Sequence, residues 1–318
     1  MQTAPTAPQP TALATALGFD TSILAGSVSE STQRIYMRDF AAYLYFAGSA
    51  EAAMLPSTLA QWRAHLVNNT ASSPNTINRM ISAVKRLIRE AAVQGYATHE
   101  TAAAFDQVAG VKVKALKERQ KANARTAISP EQMRAICNAP SATSLAGKMH
   151  RALLATLAGS GCRISEVVSL TTAQMVHSTD DEGRSGWYLL VMGKNETEPG
   201  KRPLSDEAER QIREWLTARS AIGVDSDYVF TGFSGRGSRG PRCTPISPVS
   251  AWELVQRYSE AAGVPNVKPH DFRRFVGTRL AKKDIRLAQR ALGHKRIETT
   301  AKHYVMDDLP LGMTNSLY

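Results

Sequence analysis

Between Ser73 and Gly95 the apolar residues Ile77, Met80, Ile81, Val84, Leu87, Ile88 and Ala91 recur at helical spacing. A stripe of this width has to be buried, so it commits the first part of the chain to a packed helical unit. Ser73 with Pro74 in the first turn marks the start of the helix, and Gly95 marks its stop. Two shorter patterns precede it. Ser27 and Glu30 have the spacing of a capping box ahead of Tyr36, Phe40, Tyr43 and Leu44, and Pro56 and Ser57 precede Leu59, Trp62 and Leu66. These patterns predict a small helical domain over 26–110. Residues 1–25 read as a disordered arm rich in Ala, Pro and Thr, without the basic start and apolar stretch of a signal peptide.

Lysine and arginine outnumber aspartate and glutamate by 39 to 28, a formal charge of +11, so the surface attracts polyanions. The polar side of the third helix carries Arg79, Lys85, Arg86 and Arg89. A basic stretch follows with Lys112, Lys114, Lys117, Arg119, Lys121 and Arg125 against Glu118, without apolar periodicity, and reads as an interdomain linker over 111–127. Composition alone leaves nucleic-acid binding and simple solubility evenly matched. Three widely spaced cysteines, Cys137, Cys162 and Cys243, form neither a disulfide framework nor a zinc motif, which fits a reducing cytoplasm. No apolar run approaches bilayer length, so no membrane partner is expected.

Residues 128–318 read as a mostly helical α+β domain. Ser129 and Pro130 cap a helix, and Met149–Ala158 is a nearly all-apolar helix interrupted by Gly159 and Gly161. Trp187–Met192 is β-rich, and Gly193, Pro199 and Gly200 turn the chain back in a hairpin. Further helices are predicted over Ser205–Arg219 and Pro248–Ala262 and from about His270 onward. Ser234–Arg242 is a basic, glycine-rich loop with Arg236, Arg239 and Arg242. The fold class is mainly α: a helical N-terminal domain, and a second domain in which helices surround a short antiparallel sheet.

Four segments carry possible chemistry. In Gly159-Ser160-Gly161-Cys162-Arg163, a glycine-rich turn opens a helix with Arg163 at its positive end, which suits phosphate, and Glu166 three residues on can orient the guanidinium. Lys194 stands at the hairpin tip, where a mobile ammonium can reach a substrate. His270 and Arg273 share a helical face at i, i+3. Leu292-Gly293-His294 is followed by Thr299, Thr300, His303 and Tyr304. Singly, each has an ordinary explanation as an ion pair, a solvated lysine, a chance string or a packing tyrosine.

Together and in this order, from about Gly26 to the end, the chain resembles the tyrosine site-specific recombinase (phage integrase) family. Ser31, Thr32, Tyr36 and Phe40 resemble the opening helix of its core-binding domain. The resemblance implies that 26–110 is a core-binding, DNA-binding domain and 128–318 the catalytic domain with its C-terminal tail. It implies cleavage and rejoining of duplex DNA by transesterification. Tyr304 is then the nucleophile that forms a 3′-phosphotyrosine, His270 an assisting base, His294 a hydrogen-bonding partner of the phosphate, and Lys194 the general acid. Arg163 and Arg273 would clamp the non-bridging oxygens, where the transition state gathers charge. Since the covalent bond conserves the energy of the phosphodiester, neither a metal nor ATP is implied.

The implied partners are double-stranded DNA carrying an inverted-repeat site and three further copies of the chain in a tetramer, on a mobile element and in the nucleoid-associated cytoplasm. The basic residues Arg79, Lys85, Arg86, Arg89, Lys112, Lys114, Lys117, Arg236, Arg239 and Arg242 are the candidates for DNA contact. Three features depart from the family pattern. The hairpin is long, which makes Lys201 a second candidate acid, Tyr304 is ten rather than nine residues past His294, and Lys283 replaces a common glycine. A type IB topoisomerase and a catalytically inactive DNA-binding regulator are the alternatives.

Overall fold

The apolar stripe that begins at Ile77 is buried in a computed structural model of the chain, which describes residues 24, 26–119, 127–179, 182–193, 197–234 and 240–304. Contacts divide the chain into two units, Met1–Ala124 and Arg125–Tyr318, each around its own core. In the first unit, α1 (Glu30–Ala47), α2 (Ala50–Ala53), α3 (Pro56–Asn69), α4 (Pro74–Val93) and α5 (His99–Gln107) pack together. Phe40, Tyr43 and Leu44 of α1 meet Leu59, Trp62 and Leu66 of α3 around the buried face of α4. Each such aliphatic or aromatic side chain contributes about 1.5–3 kcal/mol by leaving water. The Tyr43 hydroxyl donates to the Ala53 carbonyl at 2.8 Å, so its polar end is satisfied inside the core.

Three details differ from the sequence expectation. Ser29, not Ser27, caps α1 and accepts from the Thr32 amide, while the Ser27 hydroxyl is spent on the Leu24 carbonyl at 3.0 Å in the preceding turn. The helix α5 was not anticipated, because only Ala102 and Phe105 of its apolar residues are buried and the pattern is too short to stand out. Part of the expected linker lies on the first unit: Asn78 exchanges hydrogen bonds with both backbone groups of Val111 at 2.7 and 3.0 Å. Beyond it a 3-10 helix (Val113–Arg119) packs Leu116 against the core, and Arg119 donates to the Thr70 carbonyl at 2.9 Å.

The second unit opens with α6 (Pro130–Asn138), whose capping box pairs Ser129 with Gln132. The central α7 (Leu145–Ser160) is buried along Leu153, Leu154 and Leu157 and ends at Gly161 in the left-handed conformation. After the short α8 (Ile164–Val168), strands β1 (Met175–Thr179), β2 (Ser185–Met192) and β3 (Pro199–Leu204) form an antiparallel sheet in the order β1-β2-β3. The β2–β3 pairing continues to Met192 opposite Pro199, which leaves 193–198 as the connection. Then come α9 (Asp206–Ser220), which packs on α7, and a small hairpin of β4 (Thr231–Phe233) and β5 (Pro241–Pro245). Arg242 is therefore on a strand. The last four helices are α10 (Pro248–Ala261), α11 (Pro269–Lys283), α12 (Ile285–Leu292) and α13 (Ile297–Tyr304). The molecule is thus mainly helical with small antiparallel sheets. Among the described residues, no helix is long and apolar enough to cross a membrane.

Candidate active site

At the end of α7 the Ser160 hydroxyl donates to the Thr156 carbonyl at 2.6 Å and accepts from the Cys162 amide at 3.1 Å, which folds the chain sharply into Arg163. Gly161 makes the turn possible twice over. Its φ is +66°, and a Cβ there would lie 2.9 Å from a Leu292 methyl and 3.1 Å from Val276. Arg163 caps α8, and the buried Glu166 receives both its amide, at 2.7 Å, and its Nη1, at 2.6 Å. Glu166 thus holds both the backbone and the guanidinium of Arg163. The helix behind it has only five residues, so positive charge at this corner comes from the Arg163 guanidinium rather than from a long helix dipole.

Arg273, on the second turn of α11, is 1% exposed and ties three elements together. Its Nη1 donates to the Gly161 carbonyl at 2.9 Å, its Nη2 to the Leu292 carbonyl at 2.6 Å, and the same Nη2 lies 3.2 Å from His294 Nε2. Tyr304 is close enough to act on the charge of its guanidinium. Burial, and then the neighbouring Arg163 charge, push the Arg273 pKa down, while Tyr304 and Glu166 oppose the shift. Two adjacent guanidiniums, one buried, make a site that a phosphate anion would stabilise.

Leu-Gly-His is a helix end. Gly293 terminates α12 at φ +64° and turns His294 back toward Arg273. His294 Nδ1 lies 2.9 Å from the Thr300 hydroxyl, and its ring stacks on Tyr304 with centroids 5.5 Å apart and planes 19° apart. An arginine nitrogen can only donate, so Nε2 accepts and the neutral ring carries its proton on Nδ1, facing Thr300. Tyr304, at the end of α13, is 2% exposed, with its ring beside the α11 backbone at Gly277.

The structure thus brings Arg163, Glu166, Arg273, His294 and Tyr304 into one cluster of a single chain. His270 stands exposed in the first turn of α11, one turn before Arg273. Lys194, Arg236 and Arg239 lie outside the described residues, as does the side chain of Lys117. Lys201 is exposed on β3 with its ammonium 5.7 Å above the Tyr188 ring. Arg242 donates to the Ser234 hydroxyl at 3.0 Å and lines a separate cavity of about 720 Å³ with His150, Arg257 and Tyr258.

Sequence reasoning missed three residues of the cluster's surroundings. Thr300 holds His294, and Gly277 receives Tyr304. Arg202 is buried beside Gly293, where a Cβ would come within 2.0 Å of the guanidinium. The available signals were a threonine six residues past the histidine and a lone glycine inside a helical pattern. Nothing marks Arg202, since an arginine on a strand is ordinarily exposed. Among the described residues no group of three or more His, Cys, Asp or Glu is placed to hold a metal ion.

A sequence profile described as the phage integrase family matches residues 126–309, more than half of the chain and the whole of this cluster. The chain belongs to the phage integrase family. It is similar to tyrosine recombinase XerD of Lacticaseibacillus casei, 25% identical over 280 residues, which cover 86% of this chain and 87% of that one. It is also similar to tyrosine recombinase XerC of Pelobacter propionicus, 31% identical over 179 residues, covering 54% of this chain and 53% of that one. Several of these matches, XerC among them, span only about half the relative's length. Among solved structures, the Tn1549 transposon integrase in complex with transposon right end DNA superposes with a TM-score of 0.65 at 14% identity, over 96% of this chain and 98% of that one. The lambda integrase bound to DNA gives 0.62 at 16% identity, over 94% and 99%. Likeness at such identities establishes the fold.

Proposed function

We propose that this protein is a site-specific DNA recombinase that cuts and rejoins duplex DNA through a 3′-phosphotyrosine at Tyr304. One observation carries the reading: the buried Tyr304 ring stacks on His294, whose Nε2 lies 3.2 Å from the buried guanidinium of Arg273. A phenol is a poor nucleophile until its proton leaves, and its oxyanion is favoured beside fixed positive charge. In this reading the phenolic oxygen attacks phosphorus, the bond to the 5′-oxygen breaks, His270 assists removal of the phenolic proton, and Lys194 protonates the leaving oxygen. Arg163 and Arg273 hold the two non-bridging oxygens. The 5′-hydroxyl of a partner strand reverses the step and frees Tyr304, so the sequence of reactions needs no ATP or metal. Once phosphate replaces Arg273 as the partner of Nε2, His294 can donate from that nitrogen, either as the imidazolium or as the Nε2–H tautomer with Nδ1 accepting from the Thr300 hydroxyl.

The DNA in the integrase structures similar to this chain supports duplex DNA as the partner, and the first unit, 26–110 together with the folded part of the linker, as a DNA-binding domain. Exchange of both strands between two inverted-repeat sites calls for four protomers. Tyr304→Phe, which removes only the hydroxyl, is expected to bind site DNA within about threefold of wild type and to form no covalent complex with a nicked suicide substrate on a denaturing gel, a barrier change of many kcal/mol. An adduct with the phenylalanine variant would remove Tyr304 from the mechanism. A supercoiled plasmid bearing two sites distinguishes the rivals: recombinant circles mark a recombinase, relaxation without exchange a topoisomerase, and binding without either a regulator.

A further inference from the structure

We propose that Gly277 is a positioning residue for the nucleophile: its missing side chain is the slot that sets the plane and reach of the Tyr304 ring. The inference rests on the reading of Tyr304 as nucleophile. Gly277 lies inside the 15-residue α11, one turn past Arg273 on the same face. A glycine in a helix interior costs about 1 kcal/mol relative to alanine, so its presence there needs a reason. The backbone does not supply one, because Gly277 is not among the positive-φ residues and its conformation suits any L-amino acid. Space does. A Cβ at Gly277 would lie 2.6 and 2.7 Å from Tyr304 Cδ1 and Cε1 and 2.8 Å from Leu292 Cδ1, against about 3.5–4.0 Å for a comfortable carbon contact.

A face of the ring is covered by the stacked imidazole of His294, which is held in turn by Thr300 and Arg273. The phenol is thus bounded by bare helix backbone along Cδ1 and Cε1 and by a braced imidazole on its face. A methyl group added at Gly277 must drive the ring sideways by about 0.8 Å or tip it out of the slot, and a misplacement of about 1 Å costs a reacting group on the order of 10²-fold in rate.

The test compares wild type and Gly277→Ala as full chains in three measurements. Single-turnover adduct formation on the nicked substrate is expected to fall by about 10- to 100-fold in Gly277→Ala, with DNA affinity unchanged. The melting temperature is expected to stay close to that of wild type, because the roughly 1 kcal/mol that alanine contributes to the helix opposes the strain of seating its methyl group. Nitration of Tyr304 by tetranitromethane, followed in its own peptide by mass spectrometry, is expected to be slow in wild type, where the ring is 2% exposed, and several-fold faster in the variant. An unchanged adduct rate together with unchanged nitration overturns the proposal. So does a variant that melts several degrees lower and loses DNA binding along with cleavage, since Gly277 would then serve packing alone. Should wild type itself form no adduct, the functional reading fails, while the nitration comparison still reports whether Gly277 seats the Tyr304 ring.

Discussion

At the scale of single residues, the cluster is held by hydrogen bonds whose direction is forced. Arg273 occupies His294 Nε2, so the Nδ1–H of His294 has Thr300 Oγ1 as its acceptor, and Thr300 is fully buried. Thr300→Val keeps the shape and removes that acceptor, at a cost of roughly 1–1.5 kcal/mol for a net hydrogen bond. The expected outcome is about a tenfold slower adduct formation with unchanged DNA affinity, and recovery in Thr300→Ser, both read by single-turnover cleavage. A valine variant as fast as wild type would show that the orientation of His294 does not depend on Thr300. The neighbouring Cys162 is no rival nucleophile. Burial pushes its thiol up to about 11, against a partial opposing pull from a hydrogen bond with Ser160 and from the guanidiniums of Arg202 and Arg273.

At the scale of elements, the basic face of α4 makes contacts inside the unit. Arg79 bonds the buried carboxylate of Asp39 on α1, and Arg86 pairs with Glu90 at 2.7 Å. Arg89 grips both oxygens of Asp106 on α5 at 2.9 and 2.7 Å and holds that carboxyl below the usual range. Lys85 donates to the carbonyls of Asp106 and Val108 at 3.0 and 2.6 Å. Arg79, Lys85 and Arg89 thus lace α4 to α1, to α5 and to the segment after it, while Arg86 pairs within α4. Arg79→Ala is expected to destabilise the unit by about 1–3 kcal/mol in urea melts, because it leaves the buried Asp39 with the longer Arg38 contact at 3.4 Å. Lys112 and Lys114 are exposed on the folded part of the linker. Replacing each with alanine should lower the slope of log affinity against log salt by roughly one unit without changing the melt. If Arg79→Ala changes the slope and leaves the melt untouched, the internal pairing is not what holds it.

At the scale of the whole molecule, two cores carry two stabilities, and the second contains a pH-sensitive joint. His150 on α7 lies 2.8 Å from the Tyr258 hydroxyl on α10 and edge-on to Phe233 on β4. Burial first, and then the Arg257 charge, push its pKa down to about 4. Free histidine titrates near 6.5. Between those values the unfolded chain binds a proton that the folded chain refuses, so the stabilisation is complete above about 6.5 and is lost as pH falls toward 4, by up to about 1.4 kcal/mol per unit. Calorimetry of wild type should show the melting temperature of the second unit declining from pH 7 to pH 5, and His150→Gln should flatten that decline. Parallel curves would mean that His150 is protonated in the folded state as readily as in the unfolded one.

The amino-acid order alone determined that 26–110 is helical, that α7 is central and buried, and that Arg163, Lys194, His270, Arg273, His294 and Tyr304 form a series resembling a known family. It could do so because apolar periodicity records which face of an element leaves water, and because a motif depends on residue type and spacing. Tertiary structure alone decided that Arg273 meets the Gly161 carbonyl, 112 residues away in sequence, and that Tyr304 lies against Gly277. Only there did Arg79 and Arg89 acquire carboxylates on other helices. Periodicity tells which side chains are hidden but not which distant groups they face. A buried polar group must find a partner, and that partner is whichever group the folded backbone brings within about 3 Å.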